Sequence, residues 1–303
     1  MTEPFTEFLD GTQRTWSPEA LVDLANNLHK YHTVYLCHIN GFLLAPVLAR
    51  LATNNTVASL RLDGCNLDDD SMRLLSIALK TNTTLHILSM DHCNLTDTGI
   101  VVMIETMDFN LALTKLFLYD NNITDIGARA LSKWIAKNKT LAVLDISENN
   151  IGDSGMEALA KVVRYNQTLE VLSVSNNLFG PKGLDAFTNA LAANRSLRAY
   201  YASSNDIGDA AAARFARVLE HNPVLTSISM AKTNIGDDAA RALVEYGKYL
   251  TVLDVSDNKI TNAGGVSLQE LVHTACFVQG NKLMADSLIW CDLFIGKQRE
   301  TDV

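Results

Sequence analysis

Residues 141–151 read LAVLDISENNI, an LxxLxLxxN frame with aliphatic residues at Leu141, Leu144, Ile146 and Ile151 and asparagine at Asn149. Alternation across Leu144-Asp145-Ile146 is the mark of a short strand with one buried face. Asn149 then stands where the chain must leave that strand. The same frame returns at Leu113-Leu116-Leu118-Asn121-Ile123 and at Leu169-Leu172-Val174-Asn177-Phe179. Cysteine replaces the asparagine in Val57-Leu60-Leu62-Cys65-Leu67 and in Leu85-Leu88-Met90-Cys93-Leu95. Two further copies follow at Leu197-Tyr200-Ala202-Asn205-Ile207 and Leu225-Ile228-Met230-Thr233-Ile235. Seven starts, at residues 57, 85, 113, 141, 169, 197 and 225, therefore share one 28-residue period. An eighth copy begins at Leu250, and worn copies flank the series around Tyr35-Cys37-Asn40-Phe42 and Cys276-Val278-Asn281-Leu283.

The second half of each period is helical in pattern. Asp97, Asp125, Asp153, Asp209 and Asp237 occupy positions suited to a helix N-terminus, where a carboxylate accepts otherwise orphaned N–H groups. Apolar residues follow at helical spacing, as in Ala130, Leu131, Trp134 and Ile135. Asn82, Asn110, Asn138, Asn166, Asn194 and Asn222 stand three residues before the next repeat, where a left-handed helix cap is expected. A strand-plus-helix unit of this size cannot bury its apolar face alone and must stack on its neighbours.

This pattern resembles leucine-rich repeats, and specifically the 28-residue repeats of the ribonuclease-inhibitor type, shared by the Ran GTPase-activating protein. The resemblance covers roughly residues 32–283. It implies an α/β leucine-rich-repeat solenoid, a horseshoe with parallel strands on the concave face and helices on the convex one. Residues 1–31 read as an N-terminal helical cap, with Ser17-Pro18 as the helix start, and residues 284–303 as a C-terminal cap and tail. Leu288, Ile289, Trp290, Leu293 and Phe294 are placed to cover the last repeat. Trp134, where other repeats carry Ala78 or Ala190, reads as filler of a helix junction.

Of the 303 residues, 48% are hydrophobic and 19% charged, enough apolar content for a large core. The net charge of −9 argues against nucleic acid and anionic membrane as partners. Without a basic-then-apolar amino terminus, and with five scattered cysteines, the chain reads as cytoplasmic with reduced thiols. On that reading the recurring Asn-x-Ser/Thr triplets are products of the repeat rather than glycan sites.

Positions five, seven and eight of each repeat are expected on the concave face. They supply Arg61, Asp63, Asp91, His92, Phe117, Tyr119, Asp120, Asp145, Glu148, Tyr201, Lys232, Asp254 and Asp257, with serines between them. Seven are acids, against the two bases Arg61 and Lys232. Phe117, Tyr119 and Tyr201 have no core role on a polar face, and aromatic residues dominate binding hot spots. Phe117 and Tyr201, three repeats apart, are expected to stand about 14–15 Å from each other across an acidic floor.

The chain carries no P-loop, no GxSxG and no histidine with a nucleophile partner in sequence, so no catalytic residue, cofactor or metal ligand is expected. His29, His32, Cys37 and His38 lack the second paired spacing of a zinc site, and Asp68-Asp69-Asp70 reads as helix-start charge. Cys65 and Cys93 occupy equivalent positions in adjacent repeats, close enough in principle to be bridged, but point into the core. The expected function is non-catalytic recognition or scaffolding of a partner protein with a basic surface. The alternatives are an architectural subunit of a cytoskeletal or ciliary assembly and a GTPase activator resembling the Ran activator. The last residues resemble a ligand for PDZ domains, with Thr301 two before the terminal Val303.

Overall fold

The computed structural model describes residues 8–12, 15–107, 110–271 and 273–283. The expected C-terminal cap and the PDZ-type tail, with Thr301 and Val303, lie outside the described residues. The chain divides into two compact units, residues 1–150 and 151–303.

In the first unit the order is β1 (Phe8–Asp10), α1 (Pro18–Asn27), β2 (Thr33–Tyr35), α2 (Ala45–Leu51), β3 (Ser59–Arg61), α3 (Asp69–Thr81), β4 (Ile87–Ser89), α4 (Asp97–Thr106), β5 (Lys115–Phe117), α5 (Asp125–Lys137) and β6 (Val143–Asp145). The strands pair in chain order and all are parallel, with equivalent repeat positions in register: Arg61 beside Ser89, Ser89 beside Phe117, Phe117 beside Asp145. The second unit runs α6 (Asp153–Val163), β7 (Val171–Ser173), α7 (Pro181–Leu191), β8 (Ala199–Tyr201), α8 (Asp209–Val218), β9 (Ser227–Ser229), α9 (Asp237–Tyr246), β10 (Val252–Asp254), α10 (Asn262–Leu268) and β11 (Ala275–Phe277), again with parallel neighbours in register. The fold is the leucine-rich-repeat α/β fold expected from the period. The segment read as a helical cap has its helix, with Ser17 Oγ accepting from the Ala20 N–H, and it also carries β1.

Between strands and helices lies a largely aliphatic core. Leu60, Leu88, Leu116, Leu144, Leu172, Ile228 and Leu253, one from each of seven strands, are all fully buried. Each such side chain contributes about 1.5–3 kcal/mol of burial. Trp134 is also fully buried, as expected of a junction filler. In β8 the equivalent position is Tyr200, stacked on Phe187 at 4.1 Å between ring centroids. The alanines of α8, Ala211, Ala212 and Ala216, are buried within the same repeat, where larger side chains would compete for space.

Within each unit two hydrogen-bond ladders tie one repeat to the next, and both correct details of the sequence reading. The helix-start aspartates occupy the first helical position and cap the following helix rather than their own. Asp97 Oδ1 accepts from the N–H groups of Thr124 and Gly127, both at 2.8 Å, and Asp153 Oδ1 accepts from Gly180 and Gly183 at the same distance. Glycine at 127 and 183 leaves room at this contact, where a Cβ in the present backbone would sit 2.7 and 2.9 Å from the carboxylate oxygens, although Ala239 makes the equivalent bond to Asp209 Oδ1 at 2.8 Å. The asparagines before each repeat are not left-handed caps: Asn82 has φ −72° and Asn138 φ −70°. Their buried amides span repeats instead, Asn82 Nδ2 donating to the carbonyls of Leu51 and Asn54 while its Oδ1 accepts from the Leu85 N–H.

Cys65 and Cys93 are free thiols that stand in for the strand-exit asparagine. Their Sγ atoms donate to the carbonyls of Leu36 (3.1 Å) and Leu62 (3.0 Å). Burial pushes the Cys65 thiol up to about 12 and raises that of Cys93 as well.

Candidate functional site

Strand alternation turns positions three, five and seven of each repeat away from the helices. The resulting strand face of the first unit carries most of the predicted site residues. Phe117 and Tyr119 are half-buried, and Asp145 and Glu148 are partly exposed beside them. Tyr119 hydrogen-bonds Glu148, which raises the phenol to about 12, and its ring meets the His92 ring edge-on at 5.1 Å. His92 Nδ1 lies 2.5 Å from Asp120 Oδ2. Arg61 places Nε 3.3 Å from Asp63 Oδ2 and its guanidinium carbon 5.1 Å from the centroid of the Tyr35 ring.

Behind these residues lies a carboxylate pair. Ser89, 1% exposed, donates its hydroxyl to Asp63 Oδ1 at 2.5 Å and lies 3.2 Å from Asp91 Oδ2. One hydroxyl proton cannot serve both acids at once, so the second contact is completed when Asp91 itself holds a proton. Burial and the neighbouring Asp63 both push that way and lift the Asp91 carboxyl to about 6, against the Tyr119 N–H that donates to Asp91 Oδ1 at 2.8 Å.

The remaining predicted residues belong to the second unit. Tyr201 is half-buried with its hydroxyl 3.5 Å from Ser227 Oγ. Asp254 Oδ2 accepts from Ser229 Oγ and Asp254 Oδ1 from Ser256 Oγ. Lys232 Nζ lies 3.9 Å from Asp257 Oδ2.

Position eight has a property the sequence reading missed. His92, Asp120, Glu148, Lys232 and Asp257 all adopt positive φ, between 49° and 56°, where Gly64 and Gly280 serve in other repeats. The turn needs this conformation because the position-eight N–H donates across to the next repeat, as from Asp120 to the Ser147 carbonyl at 3.0 Å. Non-glycine residues are uncommon there and carry a conformational cost.

Other face residues were also missed. Tyr35 and Phe8 meet edge-on at 4.9 Å; the frame read as Tyr35-Cys37-Asn40-Phe42 is one residue out of register, since buried Val34 pairs with Leu60 and Tyr35 with Arg61 at position five, and Ile87, Lys115 and Val143 occupy position three. Strict period-two reading from position five would have found the last three. Among the described residues no three His, Cys, Asp or Glu side chains form a group able to hold a metal ion, and no helix is long and apolar enough to cross a membrane.

A family model described as Leucine Rich repeat matches residues 81–103, 110–132, 137–160, 165–187, 221–244 and 248–268. Among solved structures, a chain of the yeast Rad7–Elc1 complex superposes with a TM-score of 0.56 at 16% identity, over 88% of this chain and 66% of that one. A chain of the TLR13–ssRNA13 complex gives a TM-score of 0.51 at 16% identity, over 86% of this chain and 34% of that one. At such identity the likeness is one of fold. No curated protein matches the sequence significantly.

Proposed function

We propose that this chain of leucine-rich repeats is a non-catalytic recognition module that takes a partner protein on the strand face of its first unit. The observation that carries the reading is the pair of half-buried rings, Phe117 and Tyr119, standing among Asp120, Asp145 and Glu148 on a face that no core requires. Rings give contact area at little entropic cost and dominate binding hot spots. The carboxylates select a partner with a basic surface and steer its approach, which makes association fall with salt. The same charge opposes nucleic acid and anionic membranes. Arg61, Asp91, His92 and, in the second unit, Tyr201, Lys232, Asp254 and Asp257 complete the candidate contacts. The 28-residue strand spacing supports the ribonuclease-inhibitor type of repeat, and free thiols at Cys37, Cys65 and Cys93 suit the cytoplasm.

The test is a quantitative pull-down from native extract with wild type, Phe117→Ala/Tyr119→Ala and Tyr201→Ala, after circular dichroism shows that all three fold alike. Selective loss of a protein from the double variant is expected. Retention of every partner by the double variant would move the site to the helices.

A further inference from the structure

The strand face of the first unit contains a worked case of what its own chemistry binds. At β2 and β3, the guanidinium of Arg61 is held against the ring of Tyr35, the residue beside it in register, and against the carboxylate of Asp63 two residues on. Aromatic face plus carboxylate is a setting that suits a guanidinium: the planar cation is weakly hydrated, stacks on the ring, and presents parallel N–H groups to the acid. The parts recur two strands later without the cation. Phe117 lies beside Asp145 in register, Tyr119 follows on the same face, and the Tyr119 phenol hydrogen-bonds Glu148. Among the described residues, the ion pairs that Arg61, His92 and Lys232 make on the strand faces go to Asp63, Asp120 and Asp257, and none goes to Asp145 or Glu148. Lys115, two residues before Phe117, is exposed and likewise makes no ion pair with them.

Resting on the recognition reading above, we propose that the partner presents an arginine to this place, its guanidinium lying on the Phe117 and Tyr119 rings and hydrogen-bonding Asp145 and Glu148. Lysine satisfies the charge but not the stacking or the paired hydrogen bonds, so the site discriminates between the two cations. Citrulline keeps the planar shape and loses the charge. Specificity thus arises from three independent demands met together: a flat group, a positive charge and parallel donors.

The experiment uses the full chain and three fluorescein-labelled probes, Gly-Arg-Gly-Arg-Gly and its lysine and citrulline counterparts, followed by fluorescence anisotropy at low salt. The arginine probe is expected to bind about tenfold more tightly than the lysine probe, and the citrulline probe not measurably. Phe117→Ala and Asp145→Asn each weaken the arginine probe by about tenfold, Phe117→Tyr restores it, and Glu220→Gln, exposed just after α8 in the second unit, leaves it unchanged. Equal binding of arginine and lysine probes, no binding of the arginine probe, or indifference to Phe117→Ala overturns the proposal. The pull-down separates the two readings. If Phe117→Ala/Tyr119→Ala still loses the partner while the probes bind alike, recognition on this face stands and the arginine assignment fails.

Discussion

The two units share a backbone and differ in what they write on it. Their strands pair in the same register, and in both units the helix-start aspartates cap the next helix. On the strand face the first unit sets six acids, Asp10, Asp63, Asp91, Asp120, Asp145 and Glu148, against Arg61 and Lys115, with Phe8, Tyr35, Phe117 and Tyr119 among them. The second sets Asp254 and Asp257 against Lys232, with Tyr201 and Phe277, within a field of serines. Those serines satisfy one another: Ser203 and Ser229 hydroxyls lie 2.6 Å apart, and Ser229 donates on to Asp254. The second face bonds largely to itself, whereas the first offers more carboxylates and more rings. Recognition and stability are therefore carried by different residues of the same repeat, and each can change without the other.

The largest effect expected concerns what the units have in common. Asp97→Ala in the first unit and Asp153→Ala in the second each strip two backbone N–H groups of their acceptor, and each should cost about 2–4 kcal/mol in urea unfolding. Unequal losses would show that the two scaffolds are not equivalent.

A difference between the units follows in pH dependence. Asp91 has no counterpart in the second unit, and its carboxyl is raised from 3.8 to about 6. Between those values the folded chain holds a proton that the unfolded chain has released, so the stability this residue contributes at low pH is lost as pH rises from about 4 to about 6. The loss should be on the order of 2–3 kcal/mol. Wild type and Asp91→Asn, melted across pH 4–7, should diverge by that amount; parallel curves would remove Asp91 as the cause.

A smaller effect belongs to the second unit. The Tyr200 hydroxyl is buried without a hydrogen-bond partner, so Tyr200→Phe should gain about 1–2 kcal/mol in thermal or urea unfolding. A loss would mean that the hydroxyl is satisfied by water. The smallest effect returns to the first face. Glu148→Gly relieves a left-handed residue and should gain roughly 0.5–1 kcal/mol while weakening the arginine probe. Stability and binding moving in opposite directions would separate the two roles of that position.

Much of this was legible in the sequence because a 28-residue period exposes every core position several times over. Leu144 and Asn149 announce strand and exit wherever they recur. What stayed hidden depends on partners one period away. Nothing local to Asp153 tells that its carboxylate serves Gly180 and Gly183, and Asn82 looks like a helix cap until its amide is found on the carbonyls of Leu51 and Asn54. The left-handed turn at position eight was hidden for another reason, since Gly64 and Gly280 signal it strongly, His92, Asp120, Asn176 and Asp257 only weakly, and Glu148 and Lys232 not at all. On the face itself, Phe117 and Tyr119 stood out against polar neighbours. Tyr35 did not, because the frame read in its worn repeat is one residue out of step and gives it a core position.

The capping ladders also bear on how such a chain can lengthen in evolution. Each aspartate serves the helix one period ahead, and each buried asparagine joins its own turn to the carbonyls one period behind. A duplication or deletion of whole periods leaves every one of these bonds a matching partner at the new junction, wherever in the period the break falls. One that is out of phase strands a carboxylate and several backbone amides at once. Recombination within this chain is thereby restricted to integral steps, and the face it presents to partners can be extended, shortened or rewritten one rung at a time.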